Sequence, residues 1–155
     1  MRLRFVWVGK TKRAPIKELI GEYLDRLARF AQVEIVELRD RDNVGTIAQR
    51  IIDKEGEDIL ARTVSDPFVI ALDERGREMD SLQMAEFIEK HRLTGTKQIT
   101  FIVGGHSGLS DAVRKRADAV LALSRMTLTH EFARALLVEQ VYRAFTIIYD
   151  LPYQK

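Results

Sequence analysis

Short apolar runs alternate with longer amphipathic stretches along the chain. The runs at residues 3–8, 33–38, 68–72, 99–103 and 119–123 are rich in Val, Ile, Leu and Phe. Such runs predict strands buried on both faces. Between them, helical spacing predicts helices at 16–30, 44–62, 81–93, 111–116 and 130–149. The alternation predicts an α/β fold with a parallel sheet and helices on both faces. No linker, repeat or low-complexity segment interrupts it, so residues 1–155 are read as one domain.

Local signals sharpen this picture. Asp80-Ser81 and Ser110-Asp111 offer caps for the third and fourth helices. The second helix sets Ile47, Ile51, Ile52, Ile59 and Leu60 against a charged face of Arg50, Asp53, Lys54, Glu57 and Asp58. In the last helix, Phe132, Leu136, Leu137, Val141, Phe145 and Ile148 form a stripe that Ala133, Val138, Ala144 and Ile147 widen beyond one face. A helix apolar over so wide an arc must bury more than one side. Helices at chain ends usually lie outermost, so the second cover is predicted to be another subunit, in a homodimer.

Composition narrows the function. The chain has no cysteine, which removes disulfides, thiolate metal sites and cysteine nucleophiles together. Its three histidines, His91, His106 and His130, lie too far apart for a local metal motif, and no metal is expected. No apolar run approaches the ~18 residues of a membrane span. The run at 5–8 behind Arg2 and Arg4 is too short for a signal peptide, so a cytoplasmic protein without a membrane partner is predicted. The net charge of +2 hides an asymmetry: residues 1–17 hold Arg2, Arg4, Lys10, Lys12, Arg13 and Lys17 with no acid, and the other 138 residues carry −4. A basic pole on such a body suits a nucleic acid, although a solvated basic loop has the same composition.

Three strand ends carry the candidate chemistry. Residues 101–110, Phe-Ile-Val-Gly-Gly-His-Ser-Gly-Leu-Ser, run from a strand through a glycine-rich turn towards a helix. This is neither a Walker loop nor a GxGxxG fingerprint. Leu72-Asp73-Glu74-Arg75-Gly76 and residues 124–129, Ser-Arg-Met-Thr-Leu-Thr, end two further strands. A pocket of Leu72, Leu123, Met126 and Leu128 with backbone amides suits a flat heterocycle better than a phosphate cluster. Any side chain at Gly104 is predicted to intrude on its ligand. His130 falls at the start of the last helix, where a neutral imidazole is favoured. It is read as a base, an RNA contact or a helix cap. Arg143 lies four residues after Glu139, at the spacing of an exposed ion pair. The tail Leu151-Pro152-Tyr153-Gln154-Lys155 reads as frayed, with an aromatic beside a base.

Residues 121–130, Leu-Ala-Leu-Ser-Arg-Met-Thr-Leu-Thr-His, together with Arg134 and residues 139–145, Glu-Gln-Val-Tyr-Arg-Ala-Phe, closely resemble the RlmH family. These SPOUT-class methyltransferases act on pseudouridine in large-subunit ribosomal RNA. Residues 1–9, Asp53-Lys54-Glu55-Gly56, Leu72-Asp73 and residues 101–109 also fall where that family has them. The resemblance implies a parallel-sheet SPOUT fold with a C-terminal trefoil knot, an exception to the unknotted rule. It implies S-adenosylmethionine bound at Leu72, Gly104, Gly105, Leu123, Ser124, Arg125, Met126, Thr127 and Leu128. It further implies a homodimer acting on ribosomal RNA, in the 70S ribosome, with His130, Tyr142, Arg143 and Lys155 as catalytic positions. One departure is Gln154, where the family usually has histidine. Glutamine keeps a donor and an acceptor but does not titrate near neutrality. The reaction implied is methyl transfer to N3 of the base, its proton leaving to His130 or solvent while Arg143 or Lys155 steadies the anionic ring. The alternative is a catalytically silent module that binds ribosomal RNA or a nucleotide.

Overall fold

Strand β1 (Arg2–Val8) sits inside the sheet because its alternate side chains serve two cores. Leu3, Phe5 and Trp7 point into one hydrophobic cluster, and Val6 and Val8 into another. The computed structural model describes residues 1–41 and 47–154. After β1 come α1 (Ala14–Leu27), β2 (Gln32–Leu38), α2 (Ala48–Thr63), β3 (Val69–Glu78), α3 (Ser81–Leu93), β4 (Gln98–Val103), α4 (Asp111–Arg116), β5 (Ala119–Ala122) and α5 (His130–Ile148). The five strands run parallel in the order β2-β1-β4-β3-β5.

Helices α1, α3 and α5 cover the face bearing Leu3, Phe5 and Trp7. Helices α2 and α4 cover the opposite face through Ile59 and Val113. The ends of α3 and α4 are capped as their sequences predict. Asp80 and Gln83 form a reciprocal capping box, and Ser110 accepts a hydrogen bond from the Val113 amide.

Four features differ from expectation. The predicted start of α2 at residue 44 lies outside the described residues, and Ile47 is 66% exposed instead of joining the apolar side of the helix. Strand β3 continues six residues beyond its apolar run, through the polar stretch 73–78. Its pairing with β5 shifts there, so that Leu72 and Arg77 both stand opposite Leu121. Gly76 permits this: a Cβ there would lie 2.7 Å from the Val120 and Leu121 backbone. Helix α5 is not outermost but packs between α1 and α3. Its wide apolar arc is therefore taken up largely by its own chain, through Leu137, Val138, Val141, Ala144 and Phe145. Phe132 remains outside that core, 55% exposed.

The basic pole also divides. Arg4 pairs with Asp66 at 2.8 Å and Glu34 at 3.4 Å, at the amino end of the sheet. Lys10, Lys12 and Arg13 emerge at the carboxyl end, exposed.

Candidate active-site cleft

A cleft of about 830 Å³ opens beside the bulge of β3 and at the carboxyl ends of β4 and β5. Ligands in open α/β sheets bind in this position. Leu72, Gly104, Gly105, Leu123, Ser124, Met126, Thr127 and Leu128 all line it, with His130 at its edge. Arg125 does not: its guanidinium turns away to Glu78 at 3.1 Å and to the Glu74 carbonyl at 3.1 Å.

Each loop is held by its own polar contacts. After β4, the Gly108 amide donates to the Gly105 carbonyl at 3.1 Å, and Gly108 takes a φ of +83°. A Cβ on Gly104 would come within 2.8 Å of the Gly108 carbonyl oxygen and 3.0 Å of Leu109. The turn closes against this position, which has no room for a side chain. After β5, the Met126 amide donates to Ser124 Oγ at 2.9 Å, and Thr127 Oγ1 donates to Glu74 at 2.9 Å. The third loop is thereby fastened to the bulge of β3.

Asp73 links the β3 bulge to α4 and, through Arg114, to the glycine turn, a role that its local sequence does not signal. Its carboxylate accepts from Arg75 at 2.9 Å and from Arg114 at 3.0 Å. Arg114 also donates to the Leu109 carbonyl at 2.6 Å, tying α4 to the glycine turn. The Arg75 hydrogen bond, with Arg114 adding to it against the effect of burial, lowers the Asp73 pKa to about 2. A carboxyl depressed in the fold contributes stability above its unfolded pKa and loses it as pH falls through the folded value. Thermal melts of the wild type and Asp73→Asn should therefore differ at pH 7 and converge as pH falls from about 4 towards 2.

His130 is the first residue of α5 but not its cap. Thr129 is, accepting from the Phe132 amide at 3.4 Å. Burial and then the Arg134 charge lower the His130 pKa, with His106 adding to them, while Glu131 and Asp40 oppose. The imidazole is thus neutral at pH 7 and able to accept a proton. If it does so, kcat/KM should be flat above pH 7 and fall with acidification below 6.5, the ordinary histidine value. A profile rising steadily to pH 9 would exclude His130 as the acceptor.

Two charged residues on the next turn are buried, which composition gave no reason to expect. Glu131 accepts from the Lys12 amide at 2.8 Å and the Arg13 amide at 3.2 Å. Burial pushes its pKa up, but these hydrogen bonds, with His130 and Arg134 nearby, bring it below its ordinary value. Arg134 is fully buried over the Trp7 ring at 5.3 Å and donates to Thr11 Oγ1 at 3.1 Å and to the Val8 carbonyl. Glu55, in the Asp53–Gly56 segment, is buried against Gly105.

The remaining predicted residues gather elsewhere. Tyr142 packs on Tyr23, Phe30 and Tyr153, with ring centroids 4.8 to 6.2 Å apart. Arg143 is half-buried, bonded to Glu139 at 2.6 Å and stacked over Tyr153 at 4.7 Å. Tyr153 shares hydrogen bonds with Tyr23 at 2.9 Å and Glu139 at 3.0 Å, so the tail is docked, not frayed. Burial and these bonds raise its pKa. Lys155 and the Gln154 side chain lie outside the described residues. Thirteen residues of helix separate His130 from Arg143, about 20 Å at 1.5 Å per residue. A single chain does not bring them together.

Known proteins agree with this architecture. The family model for predicted SPOUT methyltransferases matches residues 1–154. The chain is 45% identical to "Ribosomal RNA large subunit methyltransferase H" of Trichlorobacter lovleyi over 99% of both chains. It is 43% identical to the protein of that name from Carboxydothermus hydrogenoformans over the whole of each. Among solved structures, a probable methyltransferase from Bordetella pertussis Tohama I superposes with a TM-score of 0.59 at 14% identity, covering 92% of this chain and 95% of that one. A tRNA (m1G37) methyltransferase from Aquifex aeolicus gives a TM-score of 0.52 at 17% identity, covering 92% and 70%. These two support the fold alone. With a family model spanning nearly its whole length and relatives above 40% identity end to end, the chain belongs to the RlmH family of SPOUT methyltransferases.

Proposed function

We propose that this protein transfers a methyl group from S-adenosylmethionine to N3 of a pseudouridine in 23S ribosomal RNA, acting on the 70S ribosome in the cytoplasm. The observation that carries the reading is the convergence of the β3 bulge and the loops after β4 and β5 on one cleft that also reaches the neutral His130. Family membership supplies the substrate class.

The residues present fit the cofactor. The cleft volume lies within the ~300–1,000 Å³ range of small-molecule sites. Leu72, Leu123, Met126 and Leu128 offer apolar walls to an adenine, and the loop backbones offer donors and acceptors at its edges. When bound, S-adenosylmethionine supplies a methyl group on a good leaving sulfur. The protein's part is to hold the base in line, exclude water and take the N3 proton at His130 Nε2 or Nδ1. Calorimetry should show one cofactor site per chain, binding S-adenosylmethionine and S-adenosylhomocysteine. A folded protein that binds neither would overturn this part.

A trefoil knot belongs to the same reading. Residues 123–129 cross from β5 over the bulge of β3, and α5 then returns between α1 and α3. So does a homodimer, for two reasons. His130 and Arg143 serve one base only if they come from different copies. Phe132 and Met126 expose apolar surface beside the cleft, at 55% and 74%. Mixing inactive His130→Ala and Arg143→Ala proteins through a denaturation–refolding cycle should then restore about a quarter of wild-type activity. Half the dimers would be mixed, each with one intact site. No restoration would place both residues in a single-copy site.

A further inference from the structure

We infer that Lys10, Lys12 and Arg13 form a phosphate-binding arm at the rim of the cleft, and that the buried Glu131 is the positioning residue that holds its shape. The inference rests on the ribosomal RNA reading and adds where the RNA backbone is gripped. Three observations converge on it. All three bases are exposed, and among the described residues none is matched by a carboxylate partner, unlike Arg2 and Arg4. The loop that carries them is fastened to the first two turns of α5, beside His130. Glu131 receives two consecutive backbone amides, and Arg134 takes the Val8 carbonyl and the Thr11 hydroxyl.

That fastening is unusual for a solvent loop. Burying a carboxylate and a guanidinium is costly unless each is satisfied by hydrogen bonds. Here both are spent on fixing a short segment whose three basic side chains form no ion pair among the described residues. A flexible loop would attract phosphate as well by charge alone, but would lose conformational entropy on binding. A loop whose backbone is fixed presents three cations from one place, held by the residue next to His130. Phosphate contacts of this kind position RNA without reading its sequence.

The test uses the full-length protein, ribosomes lacking the modification and labelled S-adenosylmethionine. Ribosome binding is also measured directly by co-sedimentation. A Lys10→Ala/Lys12→Ala/Arg13→Ala variant should raise KM and Kd for ribosomes at least about tenfold, with kcat and cofactor affinity nearly unchanged. Its log–log salt dependence should be shallower by about 2 to 3, near 0.9 per lost phosphate contact. Glu131→Gln is the discriminating companion. It removes a negative charge, so charge alone predicts tighter binding, whereas an arm that depends on its clamp predicts weaker binding. Unchanged ribosome affinity in the triple variant would overturn the arm. Tighter binding by a folded Glu131→Gln protein would overturn the positioning role. A wild type that binds ribosomes but transfers no methyl group would count against the enzymatic reading, while the binding measurements still decide the arm.

Discussion

Gly104→Ala is expected to weaken the proposed S-adenosylmethionine binding by about a hundredfold or more, some 2.7 kcal/mol. The reason is local. A methyl group there meets the Gly108 carbonyl carbon at 2.9 Å and its oxygen at 2.8 Å, so the turn must move. Those atoms belong to the segment that shapes the cleft wall. Overpacking of this kind costs about 1–3 kcal/mol of stability, which a sheet paired on both sides of β4 withstands. Differential scanning fluorimetry and calorimetry should therefore show a folded protein that has lost its ligand. The sequence alone suggested that a side chain at 104 would reach into the cofactor's space. The geometry gives a different cause, distortion of the protein's own turn. A larger residue adds nothing qualitatively new, and alanine is the cleaner test. Cofactor affinity within twofold of wild type would mean that the glycine turn does not form the site.

The second large effect concerns the tail. Deleting Pro152–Lys155 should lower kcat by about a hundredfold or more while leaving cofactor affinity intact, because the loops proposed to hold the cofactor lie at the other end of α5. The deletion also removes the Tyr153 ring from Tyr142 and Arg143 and its hydroxyl from Tyr23 and Glu139. Stability should therefore fall by about 1–3 kcal/mol, more than a frayed end would lose. Two point variants separate packing from chemistry. Tyr153→Phe keeps the ring and loses the hydroxyl contacts. Lys155→Ala removes only the terminal base proposed to act in catalysis. If the tail serves catalysis, Lys155→Ala loses turnover without a change in melting temperature. If activity merely follows stability across the three variants, the tail is structural.

The sequence pattern located most elements to within one residue, the bounds of α1, α2 and β3 excepted, because buried parallel strands leave uninterrupted apolar runs. It failed where tertiary contacts override local character. Residues 73–78 are too polar to read as strand, and they belong to β3 only because β5 pairs with them across a bulge. Glu131 and Arg134 look like a solvated helical face, yet both are buried, since their partners are backbone groups 118 to 126 residues away. Helix α5 was expected at the outside because it ends the chain. It lies between α1 and α3, and its breadth of apolar surface was the signal for that placement as much as for a second subunit. The cleft was legible from three polar strand ends. The outward turn of Arg125 and the bracing by Asp73 and Arg114 were not, because ion-pair choice depends on a register that no local pattern specifies.

The central claim is methyl transfer to N3 of one pseudouridine in 23S ribosomal RNA. The most direct measurement incubates the purified protein and S-adenosylmethionine with 70S ribosomes from cells lacking this modification. Nuclease fragments and nucleosides of the 23S RNA are then resolved by mass spectrometry. The expected product is a single fragment heavier by one methyl group that yields 3-methylpseudouridine, lost in Gly104→Ala and His130→Ala proteins. No mass increase with cofactor-bound enzyme, or a methyl group found on a different nucleoside, would contradict it.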